Sequence, residues 1–100
     1  MSNDPAICKR LSRAILAAKS MLVHYGTEED HVIMLRDPDC PFHIEHIRKK
    51  EIRKIRVTID KIDPFDEKIC RKFILPSELF TKEIWCRTKG NSHFIKKEIR

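Results

Sequence analysis

The sequence predicts an α/β chain of the α+β type. We expect a mixed, largely antiparallel sheet in the element order α-β-β-β-α-β-β, with the long first helix packed on it. Three observations point there. An apolar stripe at three- and four-residue spacing opens the chain. A clear period-2 alternation runs from Lys54 to Asp60 in the strand of residues 52 to 60. Two strand-like runs near the end flank Gly90-Asn91.

Asp4-Pro5 opens the first helix, because aspartate caps free amides and proline suits the first helical position. Ile7, Leu11, Ile15, Ala18 and Leu22 form one face, and Lys9, Arg10, Arg13 and Lys19 fall away from its centre. Gly26 is a stop, since glycine tolerates a left-handed C-terminal residue. "HVIMLR", residues 31 to 36, is rich in strand formers, and "DPDCP", residues 37 to 41, breaks it. Residues 42 to 48 form the next strand, "KKE" at 49 to 51 the hairpin tip, and residues 52 to 60 the return. There Ile55, Val57 and Ile59 face one way. Lys54, Arg56, Thr58 and Asp60 face the other, which is expected to be the more open side.

Asp63-Pro64 repeats the helix-start device. Phe65, Ile69, Cys70 and Phe73 space like one apolar face, "ILP" ends the helix, and "SELF" suggests one further turn. Residues 82 to 89 and 92 to 100 then read as strands, with Gly-Asn between them as a two-residue hairpin signal. Trp85 and Phe94 are expected to pack across that hairpin.

The chain has 100 residues, the size of one domain with one core. It is 41% hydrophobic and 36% charged, which is enough apolar content to fold. No repeat or low-complexity tract occurs. No apolar run approaches the ~20 residues of a membrane span, and no signal-peptide core is visible, so no membrane partner is expected. Cys8, Cys40, Cys70 and Cys86 sit far apart with no C-x-x-C pair, which fits reduced thiols in a cytoplasm. Cys8 and Cys70 fall at or beside helical core positions. Cys40, His43 and His46 make a C-x-x-H-x-x-H string. On an extended strand His43 and His46 point to opposite faces, so one zinc ion cannot take both without a bulge. No metal site is expected from them.

The formal charge is +6, which favours acidic partners, nucleic acid first among them. Arg48, Lys49, Lys50, Arg53, Lys54 and Arg56 sit within nine residues, opposed only by Glu51. Such a cluster suits phosphate contacts, with Arg10, Arg13 and Lys19 extending it. Aromatic residues do not interleave with these charges, so no base-stacking platform is expected.

The run "KRLSRAILAAKSMLVHYG", then "HVIMLR", "PFHIEHI" and "EIRKIRVTI", resembles the start of small nucleases of the PD-(D/E)xK superfamily, in the style of archaeal and phage resolvase-like enzymes. "KEIWCRTKG" and "SHFIKKEI" resemble their closing strands. The resemblance lies in order and spacing over most of the chain, not in identity. It implies a restriction-endonuclease-like core. In that family an aspartate on one strand and an acid-x-lysine triplet on the next hold Mg²⁺ and activate water. On this chain the aspartate position is His43, and the triplet falls on Arg56-Val57-Thr58. A cation replaces the carboxylate and a hydroxyl replaces the lysine. The resemblance therefore implies a nucleic-acid-binding protein, with DNA favoured, whose metal centre has degenerated, with no cofactor.

Two other readings stay open. In a different register Asp39, Glu45 or Asp60 would be the catalytic acids of an active Mg²⁺-dependent nuclease. Against this, Ile47 stands at the lysine position after Glu45, and Arg48 is one residue too far, on the opposite face. Alternatively, a sheet edge or the last hairpin pairs with a second copy, giving a homodimerising interaction module.

Overall fold

The computed structural model describes residues 5–100. The Asp4 cap lies outside the described residues. Helix α1 runs Pro5–Tyr25, followed by strands β1 (His31–Met34), β2 (Ile44–Ile47) and β3 (Ile52–Ile59). Helix α2 (Pro64–Lys72) then leads into β4 (Phe80–Arg87) and β5 (Phe94–Ile99). The order is the one expected. The five strands lie side by side in chain order. All neighbours pair antiparallel except β3 and β4, which are parallel. A parallel pair needs a crossover, and α2 supplies it.

That crossover decides what covers the sheet. Ala14, Ala18 and Leu22 of α1 pack on Ile44, Ile55, Val57 and Trp85. The two alanines are almost fully buried, and their small size lets the helix axis approach the strands. On the other face Cys70 of α2 packs with Phe42, Ile84 and Ile99. The core is therefore two layers on one sheet. The face of β3 expected to be open is roofed by α2. Its polar side chains needed partners there, and they found them. Thr58 is the exception: its Oγ1 is buried with no hydrogen-bond partner.

α2 begins as the sequence indicated. Asp66 Oδ2 accepts the backbone N–H of Asp63 at 3.0 Å, with Pro64 next. Its buried face is rotated from the expected one. Phe65 is exposed, while Asp66 and Cys70 are buried. At the other end Lys82 is only 7% exposed and has no carboxylate partner among the described residues. Its Nζ donates to the carbonyls of Cys70, Arg71 and Phe73 at 2.9, 3.3 and 3.3 Å. Cys70 O also accepts the capping Phe73 N–H at 3.2 Å, and all three carbonyls lie at the helix end, the negative pole of its dipole. A strand lysine thus closes the helix.

Three local readings change. Gly26 stops α1 through space and not through a left-handed φ. A Cβ there would meet the Leu22 carbonyl oxygen at 2.7 Å and Asp30 Oδ2 at 3.0 Å. The β4–β5 connection spans residues 88 to 93, since Arg87 and Phe94 are the last pair. Asn91 N–H donates to Thr88 O at 3.1 Å, and Asn91 Oδ1 accepts His93 N–H at 2.9 Å. The asparagine thus builds a wider loop, around Gly90 at φ 78°. "SELF" forms a hydrogen-bonded turn, with Ser77 Oγ accepting Leu79 N–H at 3.3 Å, and no helical turn. Trp85 and Phe94 do pack together, ring centroids 5.5 Å apart.

Candidate nucleic-acid interface

The six cations of residues 48 to 56 do not share one surface. Arg53 lies on the α1 face, where Nε and Nη2 donate to the two carboxylate oxygens of Glu83 at 2.5 and 2.8 Å. Lys54 and Arg56 lie on the α2 face. Lys54 Nζ pairs with Glu45 at 3.1 Å, beside the rings of Phe73 and Phe80. Arg56 Nε donates to Asp66 at 2.8 Å, and its Nη1 to Pro41 O at 2.8 Å. All three are mostly buried, so they hold the fold together. The hairpin tip is what remains. Arg48 is half exposed and reaches Glu51 at 3.4 Å and Asp30 at 3.6 Å. Lys49 and Lys50 are exposed and in no ion pair among the described residues.

The expected extension along α1 is not continuous with that tip. Arg10 bonds Asp60, just past the far end of β3. The tip adjoins Ile52, at the near end. Eight strand residues separate them, roughly 25 Å at ~3.3 Å per residue.

A buried polar chain that pattern reading did not find lies beneath the tip. His46 Nδ1 meets Arg53 Nη1 at 3.1 Å, and its Nε2 meets Asp30 Oδ2 at 3.1 Å. A guanidinium only donates, so Nδ1 accepts and the Nε2–H tautomer donates to Asp30. Both ring nitrogens are spent. Trp85 Nε1 then donates to Glu83 at 3.1 Å. Burial alone pushes the Glu83 carboxyl up. The hydrogen bonds from Arg53 and Trp85 overcome this and bring it below the ordinary value. The signal was present in the sequence: Arg53 shares the parity of Ile55 and Val57, and a cation on a packed face demands a carboxylate there.

His43 occupies the position where the resemblance expects a metal-binding aspartate. Its Nδ1 accepts the backbone N–H of Val57 at 2.9 Å, so the imidazole continues the β2–β3 ladder in place of a carbonyl. Burial first, then the Arg56 charge, pulls its pKa from 6.5 down to about 4. This predicts a pH dependence. The unfolded chain protonates His43 near 6.5, and the folded one only near 4. Between these values the unfolded state binds more protons. Stability should therefore fall by up to about 3 kcal/mol as pH drops through the window. His43→Asn keeps an acceptor and removes the titration. Urea melts at pH 7 and pH 4.5 should differ clearly in the native protein and little in the variant. An equal drop in both would assign the effect to other groups.

The candidate acids lie apart in their roles. Asp39 is exposed in the turn after β1, its amide donating to Asp37 Oδ1 at 2.9 Å. Glu45 is bound to Lys54. Asp60 is exposed at the end of β3, at φ 71°, bound to Arg10. Among the described residues no three His, Cys, Asp or Glu gather as metal ligands. The four cysteines are free thiols. Cys8 is exposed, against expectation. Burial pushes the Cys70 thiol up to about 11, which removes its thiolate at neutral pH. No helix among the described residues is long and apolar enough to cross a membrane.

No family model, no curated protein and no solved structure matches this chain.

Proposed function

We propose that this protein binds nucleic acid, DNA in particular, through the β2–β3 hairpin tip of a restriction-endonuclease-like core with a degenerate metal centre. The observation that carries the reading is the tip itself. Lys49 and Lys50 are adjacent, exposed and in no ion pair among the described residues, with Arg48 beside them. The carboxylates nearby, Asp30, Glu45 and Glu51, are already engaged by other groups. Free charge on a protruding turn suits phosphate contact, because each phosphate neutralised releases counterions.

The element order and the parallel β3–β4 pair support the core assignment. The degenerate centre is supported by the occupants of its positions. His43 is spent on Val57, Arg56 on Asp66 and Pro41, and Thr58 is buried. Unpaired Cys8, Cys40, Cys70 and Cys86 fit a reducing cytoplasm.

The test separates binding from folding. Lys49→Glu with Lys50→Glu touches no internal partner and should leave the melting curve in place. Duplex DNA affinity at low salt should fall at least tenfold, and the slope of log K against log salt should drop by about 2. Unchanged affinity would remove the tip as the interface.

A further inference from the structure

At the opposite end of the sheet from the tip, a cleft of about 380 Å³ opens between the first half of α1 and the loop after β4. It is ringed by Arg10, Arg13, Arg87 and Lys89, with the hydroxyl residues Thr88 and Ser92 on its rim. The sequence spreads these cations over more than seventy positions, so no run of charge announces them.

The cleft is held ready for an anion. Arg87 Nε donates to Asn91 O at 3.2 Å, and its guanidinium lies 6.0 Å from the centre of the Phe94 ring. This fixes the stem and leaves both Nη groups without a protein partner among the described residues. Arg13 and Lys89 are exposed and in no ion pair among the described residues, although the Lys89 charge acts on Asp60 from a distance. The carboxylate adjoining the site, Asp60, is turned onto Arg10, which it holds at 2.5 and 3.2 Å. The loop passes through Gly90 in the left-handed region with nothing within 4 Å of an added Cβ, so its backbone is open to a ligand.

Guanidinium forks match phosphate oxygens better than a point charge does. The space is about ten times the ~30 Å³ share of one water, enough for a phosphate and the sugar it carries. We infer that this cleft is a phosphate-binding site and that its ligand is a backbone phosphodiester of nucleic acid, a second contact at the far end of the sheet from the tip. The phosphodiester assignment rests on the nucleic-acid reading above; the phosphate site does not.

Two probes distinguish them: inorganic phosphate, followed by amide chemical shifts, and a labelled duplex DNA. Phosphate should move the amides of residues 88 to 92 in the native protein. Arg13→Glu with Lys89→Glu should abolish those shifts, weaken DNA at least tenfold at low salt and lower the salt slope by about 2. Charge reversals can lose binding by unfolding, so a gain is also needed. Asp60→Asn keeps a residue that tolerates positive φ and frees Arg10. It should tighten both ligands. DNA binding that the cleft variants leave unchanged, with no phosphate shifts, overturns the site while the hairpin reading stands. Phosphate shifts in a protein that binds no DNA uphold the phosphate site and overturn its assignment to nucleic acid.

Discussion

Glu83→Ala should destabilise the protein by about 3–5 kcal/mol, the usual result of removing one partner from a buried charge pair. The Arg53 and Glu83 side chains are 18% and 15% exposed, and their bond is bidentate. Without Glu83 the Arg53 guanidinium stays against Trp85 and His46 with its charge unanswered. Trp85 Nε1 also loses its acceptor. A domain of this size holds only about 5–15 kcal/mol in total. The urea midpoint should therefore fall steeply at unchanged m. Glu83→Gln keeps an acceptor for Trp85 and should recover part of the loss. Arg53→Met with Glu83→Leu removes both charges and should recover more. A loss under about 1 kcal/mol in Glu83→Ala would mean the pair behaves as a screened surface pair.

This result bears on function. On the proposed reading, reversing a cation in residues 48 to 56 would weaken DNA binding by one of two routes. At Lys49 and Lys50 it would remove the proposed contacts. At Arg53, Lys54 or Arg56 it would break an internal pair and destabilise the hairpin. Melting curves separate the routes.

How legible was this in the sequence? The element order was, because helical and strand periodicity are local. So was the α2 start, since Asp63-Pro64 acts on amides within three residues. What covers each face was not. Alternation in β3 says that Lys54, Arg56 and Thr58 share a side, but not that α2 roofs it. The partner of Arg56 lies ten residues on, across the crossover. Proximity in sequence makes the cation cluster look like one surface, but it does not place the side chains together in space. In a strand, neighbours point oppositely, so Arg53 and Lys54 went to different layers. The Arg10–Arg87 cleft draws on α1 and the β4–β5 loop, which only the sheet order brings together. Gly90-Asn91 alone predicts a turn two residues wide. The side chain of Asn91, hydrogen-bonded to His93, widens it.

The second large effect concerns the positions where the resemblance expects an acid and a lysine. Arg56→Glu with Thr58→Lys writes that pair back. If the centre were lost by substitution alone, the variant would bind Mg²⁺ and cut DNA. Its surroundings predict otherwise. Asp66 is 8% exposed, and its oxygens accept from Arg56 and from the Asp63 amide. A glutamate at 56 sets a second carboxylate against it and strips Pro41 O of its donor. Position 58 is 7% exposed, beneath α2, where an ammonium replaces a hydroxyl that already has no partner. Breaking the Arg56–Asp66 pair alone is worth about 3–5 kcal/mol. The buried ammonium adds to that. The variant should lose its cooperative transition, and Mg²⁺ should not restore it. A ligand bound only by the folded state would raise the melting temperature with its concentration, so a Mg²⁺ series is the sharp readout. A folded variant that melts higher with Mg²⁺ and nicks duplex DNA would show that these positions can hold the metal. It would also refute the claim that the α2 roof is built against it. The expected result instead makes the cations of β3 a structural commitment. Arg56, which stands where the resemblance expects an acid, is the same residue that pins α2 to the sheet, so an acid written there should cost the fold.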